Sequence, residues 1–238
     1  MNIALIGYGR MGREIEEAAL GRGHVISIII DEINTVDLKP VNFSEVGVAI
    51  EFSVPGSAFS NIKKCLEMGI PVVSGTTGWL HDYDKAAEIC RKNETSFIHS
   101  ANFSIGVNML FRLNSVLAGL MASYPSYSPS IEEIHHVKKL DAPSGTAINL
   151  ANTITACHKG YKGWTSEPGG PENVVHIHSV REGNVPGTHI VTWNSEIDSI
   201  SLKHEARNRK GFALGAVVAA EFIAARKGIF TMDDVLGF

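Results

Sequence analysis

The sequence predicts an α/β protein: a doubly wound parallel sheet, joined to an α+β domain with an open, mostly antiparallel sheet. Three observations carry this. From residue 2 to residue 104, short apolar runs alternate with helical ones, as strands and helices do in a parallel sheet. A Gly-x-Gly-x-x-Gly run stands between the first strand and the first helix. After residue 173 strand-like runs follow one another directly, which points to antiparallel pairing.

Residues 2–6 form the first apolar run, and Gly7-Tyr8-Gly9-Arg10-Met11-Gly12 follows at once. Ile15, Ala18, Ala19 and Leu20 then recur with helical spacing. In that setting Gly7 allows the tight turn, Gly9 lets a pyrophosphate approach the backbone, and Gly12 lets helix and strand pack closely. Residues 25–30 are a second buried strand with Asp31 at its end. An acid roughly twenty residues beyond the glycines is where adenosine ribose hydroxyls are bound. A plain βα turn would explain the glycines but not Asp31 in register with them. The first domain is therefore expected to be of Rossmann type.

Residues 32–47 are short and irregular, and 48–54 are the next strand, ended by Pro55. Residues 60–68 are helical, and 71–74 form a strand leading into Gly75-Thr76-Thr77-Gly78. A polar-faced helix at 80–92 precedes the last strand of the series, 96–100, whose exit loop is Ala101-Asn102-Phe103-Ser104. Small and polar residues at strand carboxyl ends lie where open α/β sheets bind ligands.

Residues 107–124 read as a long helix with Met109, Leu110, Leu113, Leu117 and Leu120 on its apolar side. Residues 131–139 read as a strand, because Ile131, Ile134 and Val137 favour one and Asp141-Ala142-Pro143 ends it. His135 and Lys139 then share a face. Ser144 or Thr146 can cap a helix beginning near Ala147, whose start presents unpaired N–H groups and partial positive charge. A cationic strand end thus faces an anion-binding helix start. Lysines on a solvated edge strand would be the bland explanation. Consecutive histidines, following lysines and a Ser-Gly-Thr helix start favour function.

Residues 174–182 and 188–195 are expected to form a hairpin through Gly183-Asn184-Val185-Pro186-Gly187, and 199–206 a third strand. His176 and His178 read as one pleat face rather than metal ligands, and no metal is expected. His204 suits a structural or a functional role equally. Residues 212–227 form the last helix, with Gly228 as its stop. The expected domains are 1–104 with 207–238, for the dinucleotide, and 105–206, for substrate and oligomerisation.

A net charge of −4 argues against a nucleic-acid surface. Cys65, Cys90 and Cys157 are odd in number and contain no CxxC, which fits a reducing cytoplasm. The most apolar long run, 211–230, contains Glu221, Arg226 and Lys227, so no membrane span is expected, and the start of the chain has no signal-peptide pattern.

His135-His136-Val137-Lys138-Lys139-Leu140-Asp141-Ala142-Pro143-Ser144-Gly145-Thr146-Ala147 resembles the His-His-x-x-Lys-x-Asp-Ala-Pro-Ser-Gly-Thr-Ala motif of the 4-hydroxy-tetrahydrodipicolinate (dihydrodipicolinate) reductase family. The resemblance runs through nearly the whole chain. Residues 7–13 look like the family's nucleotide loop, Gly75-Thr76-Thr77-Gly78 and Ala101-Asn102-Phe103-Ser104 like its other cofactor-side segments, and 230–236 like its closing run. It implies NAD(P)H-dependent reduction of a cyclic imine dicarboxylate in lysine and diaminopimelate biosynthesis. It further implies His135 and Lys139 as the acid/base pair, and His136, Ser144, Gly145 and Thr146 as substrate-binding residues. Cofactor-binding residues would be Gly7, Tyr8, Gly9, Arg10, Met11, Gly12, Asp31, Gly75, Thr76, Thr77, Ala101, Asn102, Phe103 and Ser104. A homotetramer built through the middle domain's sheet is implied as well.

The chain departs from the family pattern in a trimmed segment after Asp31 and in Val137-Lys138, where Arg-His is common. Asp31 and Glu32 favour NADH, with NADPH still usable. Two other readings are a different Rossmann reductase of a small amino-acid-pathway acid and a non-catalytic NAD sensor. An acylating semialdehyde dehydrogenase needs a cysteine nucleophile in a Gly- or Ser-rich loop, which this chain lacks, and a sensor has no use for His135, Lys139 and the Ser-Gly-Thr turn together.

Overall fold

A continuous apolar run makes a stable strand where both of its faces are covered. Strand β1 (Asn2–Ile6) is such a strand, buried from Ile3 onward. It lies between β2 (Val25–Ile30) and β3 (Val48–Glu51), parallel to both. With β4 (Val72–Ser74), β5 (Ser96–His99) and β11 (Gly228–Phe230) the sheet runs β11-β5-β4-β3-β1-β2, every pair parallel. Helices α1 (Arg10–Gly21) and α6 (Lys210–Ile223) cover one face over Leu5, Ile15, Ile50 and Val217. Helices α2 (Pro55–Glu67) and α3 (Tyr83–Lys92) cover the other over Ile6, Ile62, Trp79 and Phe97. The strand order reverses between β1 and β3, so the loops leaving them diverge there, the usual ligand position in such sheets.

The computed structural model describes all 238 residues, in two units: residues 1–105 with 210–238, and residues 106–209. The carboxyl-terminal stretch belongs to the first unit and gives it β11 and α7 (Met232–Leu236), the latter started by a Thr231–Asp234 capping box.

The second unit holds most of α4 (Ile105–Met121) and a sheet in the order β10-β9-β6-β8-β7. Its strands are β6 (Ser128–His135), β7 (Trp164–Thr165), β8 (Val175–Arg181), β9 (Thr188–Asn194) and β10 (Ser199–Glu205). Helix α5 (Gly145–Cys157) packs on one face over Ile131, Leu150, Ile177 and Trp193. The sheet is mixed: β9 is antiparallel to β6 and β10, while β8 is parallel to β6 and β7.

Several local expectations change. The hairpin between 174–182 and 188–195 does not form, because β6 lies between β8 and β9. Alternate residues of β6 are buried and both its edges are paired, so the 183–187 loop crosses the end of β6 instead of closing a hairpin. The strand expected through residue 139 stops at His135. Beyond it the Lys139 N–H turns back to the His136 carbonyl at 3.0 Å.

Helix α4 buries Val107, Leu110, Asn114, Ala118 and Met121, while Met109, Leu113 and Leu120 are exposed. The helix is apolar nearly all round. On the buried face Asn114 donates its amide N–H to the Leu150 carbonyl at 3.0 Å, while its Oδ1 is buried without a partner. The last long helix ends at Ile223, and Gly228 opens β11 rather than capping the helix. The irregular 32–47 segment contains two short 3₁₀ turns.

Candidate active site

The carboxyl ends of the first sheet gather one group of candidates. At Gly7 the backbone has φ of +90°, and an added Cβ would sit 2.2 Å from the Phe52 carbonyl oxygen. At Gly12 it would sit 2.4 Å from the Gly7 carbonyl, so helix and strand meet at backbone distance there. At Gly9, by contrast, a Cβ would meet nothing within 4 Å. Helix α1 starts at Gly9 with no side-chain cap and no acidic residue in its first turn. Its N–H groups and positive end are therefore open to an anion, and the residues fit a dinucleotide pyrophosphate. Tyr8 hydrogen-bonds Glu16, which raises the phenol above its ordinary value, and the Arg13 guanidinium lies 5.3 Å from the Tyr8 ring centre. Arg10 is exposed and Met11 packs against the core.

Asp31 follows β2 directly. Its carboxylate accepts the Glu32 N–H at 3.0 Å and starts a 3₁₀ turn. Gly75, Thr76 and Thr77 follow β4. The Thr76 hydroxyl donates to Glu51 at 2.9 Å and accepts the Ser53 N–H at 2.8 Å. Glu51, fully buried, also accepts the Ser74 hydroxyl at 2.7 Å, so one carboxylate ties the ends of β3 and β4 together. Ala101, Asn102, Phe103 and Ser104 follow β5. Asn102 accepts the Ser104 N–H at 2.9 Å, and the Phe103 side chain is part of the core.

A second group lies at the end of β6. Glu133 and His135 alternate onto the buried face of the strand. Arg181 of β8 is in register with His135, and His189 of β9 with Glu133. Glu133 Oε2 touches His135 Nδ1, and Oε1 accepts from Arg181 Nη2 at 2.8 Å. Burial pushes the Glu133 carboxyl up, but hydrogen bonds from His135 and Arg181 outweigh it and bring it down to about 2. The imidazoles of His135 and His189 meet edge to face with centroids 5.1 Å apart. His189 Nε2 lies 3.1 Å from Ser144 Oγ, which also accepts the Ala147 N–H at 3.2 Å as the cap of α5. Lys139 Nζ donates to both oxygens of Asp141 at 2.8 Å, which lowers the Asp141 carboxyl. Ligand-type atoms of Glu133, His135 and His189 lie within 4.8 Å of one another. The Arg181 guanidinium already supplies the cation at that carboxylate.

Two family models match the chain: Dihydrodipicolinate reductase, N-terminus, over residues 1–103, and Dihydrodipicolinate reductase, C-terminus, over residues 106–236. The chain belongs to the dihydrodipicolinate reductase family. It is 54% identical over 236 residues to a 4-hydroxy-tetrahydrodipicolinate reductase of Christiangramia forsetii, covering 99% of this chain and 98% of that one. The corresponding protein of Thermosipho africanus is 33% identical over 238 residues, covering 99% and 98%. A dipicolinate-bound dihydrodipicolinate reductase from Paenisporosarcina sp. TG-14 shares the fold, with a TM-score of 0.80 over 97% of each chain at 22% identity. The chain is an NAD(P)H-dependent oxidoreductase, with an NAD(P)-binding amino-terminal part.

The structure brings His135 and Ser144 to one cluster through His189, with Gly145 and Thr146 opening the helix that Ser144 caps. Lys139 follows a turn beyond His135 rather than sharing its strand face. His136 presents a buried Nδ1 with no partner in the chain. Glu133, Arg181 and His189 escaped the sequence reading. A signal for Glu133 was present: a carboxylate two residues before His135 on the strand face that also carries Ile131. Arg181 and His189 needed the β8-β6-β9 order, which a presumed hairpin hid.

Proposed function

We propose that this chain reduces 4-hydroxy-tetrahydrodipicolinate to tetrahydrodipicolinate with loss of water, in lysine and diaminopimelate biosynthesis. The observation that carries the reading is the cluster at the end of β6, where a buried imidazole, a lysine and an anion-ready helix start adjoin one another.

A nicotinamide dinucleotide, when bound, supplies the hydride. Gly7, Tyr8, Gly9, Arg10, Met11 and Gly12 would hold its pyrophosphate at the start of α1, and Asp31 its adenosine ribose. Gly75, Thr76, Thr77, Ala101, Asn102, Phe103 and Ser104 would bind the remainder. The N–H groups of Gly145 and Thr146 hold a substrate carboxylate, assisted by His136. Ser144, whose hydroxyl points to Ala147 and His189, keeps that helix start in place. As the ring carbon that carried the hydroxyl is reduced, the neighbouring carbon needs a proton. Lys139 stabilises the developing charge and donates, and His135 shuttles protons.

Asp31 and Glu32 favour NADH, because carboxylates accept ribose hydroxyls and repel a 2′-phosphate, while NADPH stays usable through Arg10, Arg13 or Lys39. We assign residues 1–104 with 207–238 to the dinucleotide and 105–206 to substrate and assembly. A homotetramer is supported by the sheet face turned away from α5, where Ser130, Glu132, His176, His178 and Thr192 line an open depression. A cytoplasmic setting is supported by three unpaired cysteines. No helix is long and apolar enough to cross a membrane.

Mass analysis of the product tests the reaction. Each NADH consumed should yield a product lighter than the substrate by one oxygen atom, the balance of losing water and gaining two hydrogens. A product that has lost water without reduction would overturn the reading.

A further inference from the structure

The proposed reduction asks His135 to handle a proton, and its buried neighbours decide which ring nitrogen carries it. Glu133 stands on the same strand face and is fully buried, with Oε2 against His135 Nδ1. A buried carboxylate is costly unless it is paired. Arg181 supplies the pairing, donating from Nη2 to Glu133 at 2.8 Å and to the Asp141 carbonyl at 2.6 Å, and from Nη1 to the Val180 carbonyl at 2.8 Å. On the other side of the ring, a Cβ at Gly187 would lie 3.0 Å from His135 Nε2, so glycine leaves that nitrogen its space.

We propose that Glu133 is the positioning residue for His135: its carboxylate holds a proton on Nδ1, fixes the ring and leaves Nε2 to exchange protons with the substrate. The proposal rests on the reading of His135 as the proton-handling group. Ion pairing with Arg181 alone would not require the contact with Nδ1. A carboxylate at one imidazole nitrogen sets the tautomer and raises the basicity of the other.

The charged and titratable groups around His135 make Glu133 the one that matters. Glu133 comes from its own strand, Arg181 from β8 and His189 from β9, with His204 of β10 in register behind His189. Lys139 and Asp141 follow the turn and bind each other. His189 is held neutral by burial, with a value of about 4. Arg181 and Lys139 are cations, and Asp141 is occupied by Lys139. Glu133 is thus the anion that offsets Arg181 at the ring.

Glu133→Gln preserves shape and an acceptor for Arg181, but its amide N–H would face Nδ1 and drive the proton to Nε2. The test is an NMR titration of the full-length protein with isotope-labelled histidine, wild type against Glu133→Gln, with the His135 signals identified by their loss in His135→Gln. The neutral ring should switch from the Nδ1–H to the Nε2–H form, and its midpoint should fall by about one pH unit or more. In parallel kcat should drop roughly 10–100-fold with KM little changed, and Glu133→Asp should restore part of it. An unaltered tautomer and midpoint in Glu133→Gln would overturn the proposal, as would a tautomer switch that left kcat unchanged. The titration needs no substrate, so it decides the coupling even where wild-type turnover fails, and that failure would count against the proposed reaction alone.

Discussion

The imidazoles of His135 and His189 meet edge to face, 5.1 Å between centroids, and only His189 has its Nε2 bound to the hydroxyl that caps α5. The His135 ring and the start of α5 are therefore linked through one buried histidine. Burial, and then the neighbouring His135, hold His189 at about 4, below the usual 6.5. Between those values the unfolded chain binds more protons than the folded one. Stability is then full above pH 6.5 and falls as pH drops towards 4, a depression worth on the order of 3 kcal/mol. His189→Gln should flatten that slope, measured as unfolding free energy in denaturant at several pH values. An equal slope in both proteins would show that His189 does not cause it.

Gly7 and Gly9 should respond in opposite ways. Gly7→Ala places a Cβ against the Phe52 carbonyl at a positive φ and should destabilise the fold by about 2–3 kcal/mol or more. Gly9→Ala has open space and an ordinary φ of −75°, so its melting temperature should hold. Its dinucleotide affinity should nonetheless fall about tenfold if Gly9 makes the proposed pyrophosphate contact, because the methyl group would occupy that open space. Calorimetry and a dinucleotide binding titration on both variants check the contrast.

Thr146→Pro removes an N–H from the first turn of α5, where proline is tolerated and the preceding Gly145 has no Cβ to clash. KM for the dicarboxylate should rise several-fold while NADH affinity is unchanged. Parallel loss of both would mean general damage instead of a lost carboxylate contact.

For the cofactor, NADH should show the higher kcat/KM at moderate salt. Asp31→Ala should narrow the gap, since two like charges a few ångströms apart in partly screened surroundings cost about a kilocalorie or more. A clear NADPH preference that survives Asp31→Ala would remove Asp31 as the discriminating residue.

The parallel sheet was legible because each signal was local: Gly7, Gly9 and Gly12 between strand and helix, and Asp31 at the next strand's end. A cap at Ser144 or Thr146 was legible for the same reason, since a cap is read within three residues; of the two, Ser144 caps α5, which starts at Gly145, two residues before the expected Ala147. The middle sheet was harder. Gly183 to Gly187 carry hairpin chemistry, yet β6, more than forty residues earlier, takes the place between β8 and β9. Strand insertion of that kind leaves no local trace, so Arg181 and His189 stayed hidden beside His135. Helix α4 shows the limit of apolar patterning: it is apolar nearly all round, so its sequence does not tell that Leu110 and Asn114 face inward and Leu113 outward.

Reduction of the cyclic product of pyruvate and aspartate semialdehyde at the end of β6 is open to direct test. The most direct measurement is NADH and NADPH oxidation with that condensation product, against aspartate semialdehyde alone and homoserine, in wild type and Lys139→Ala. The wild type should turn over with the condensation product only, and Lys139→Ala should lose roughly 10²–10³ in kcat with dinucleotide binding intact. A wild type that oxidises neither cofactor with the condensation product would contradict the proposed reaction, and a Lys139→Ala variant at wild-type rate would contradict the role of Lys139.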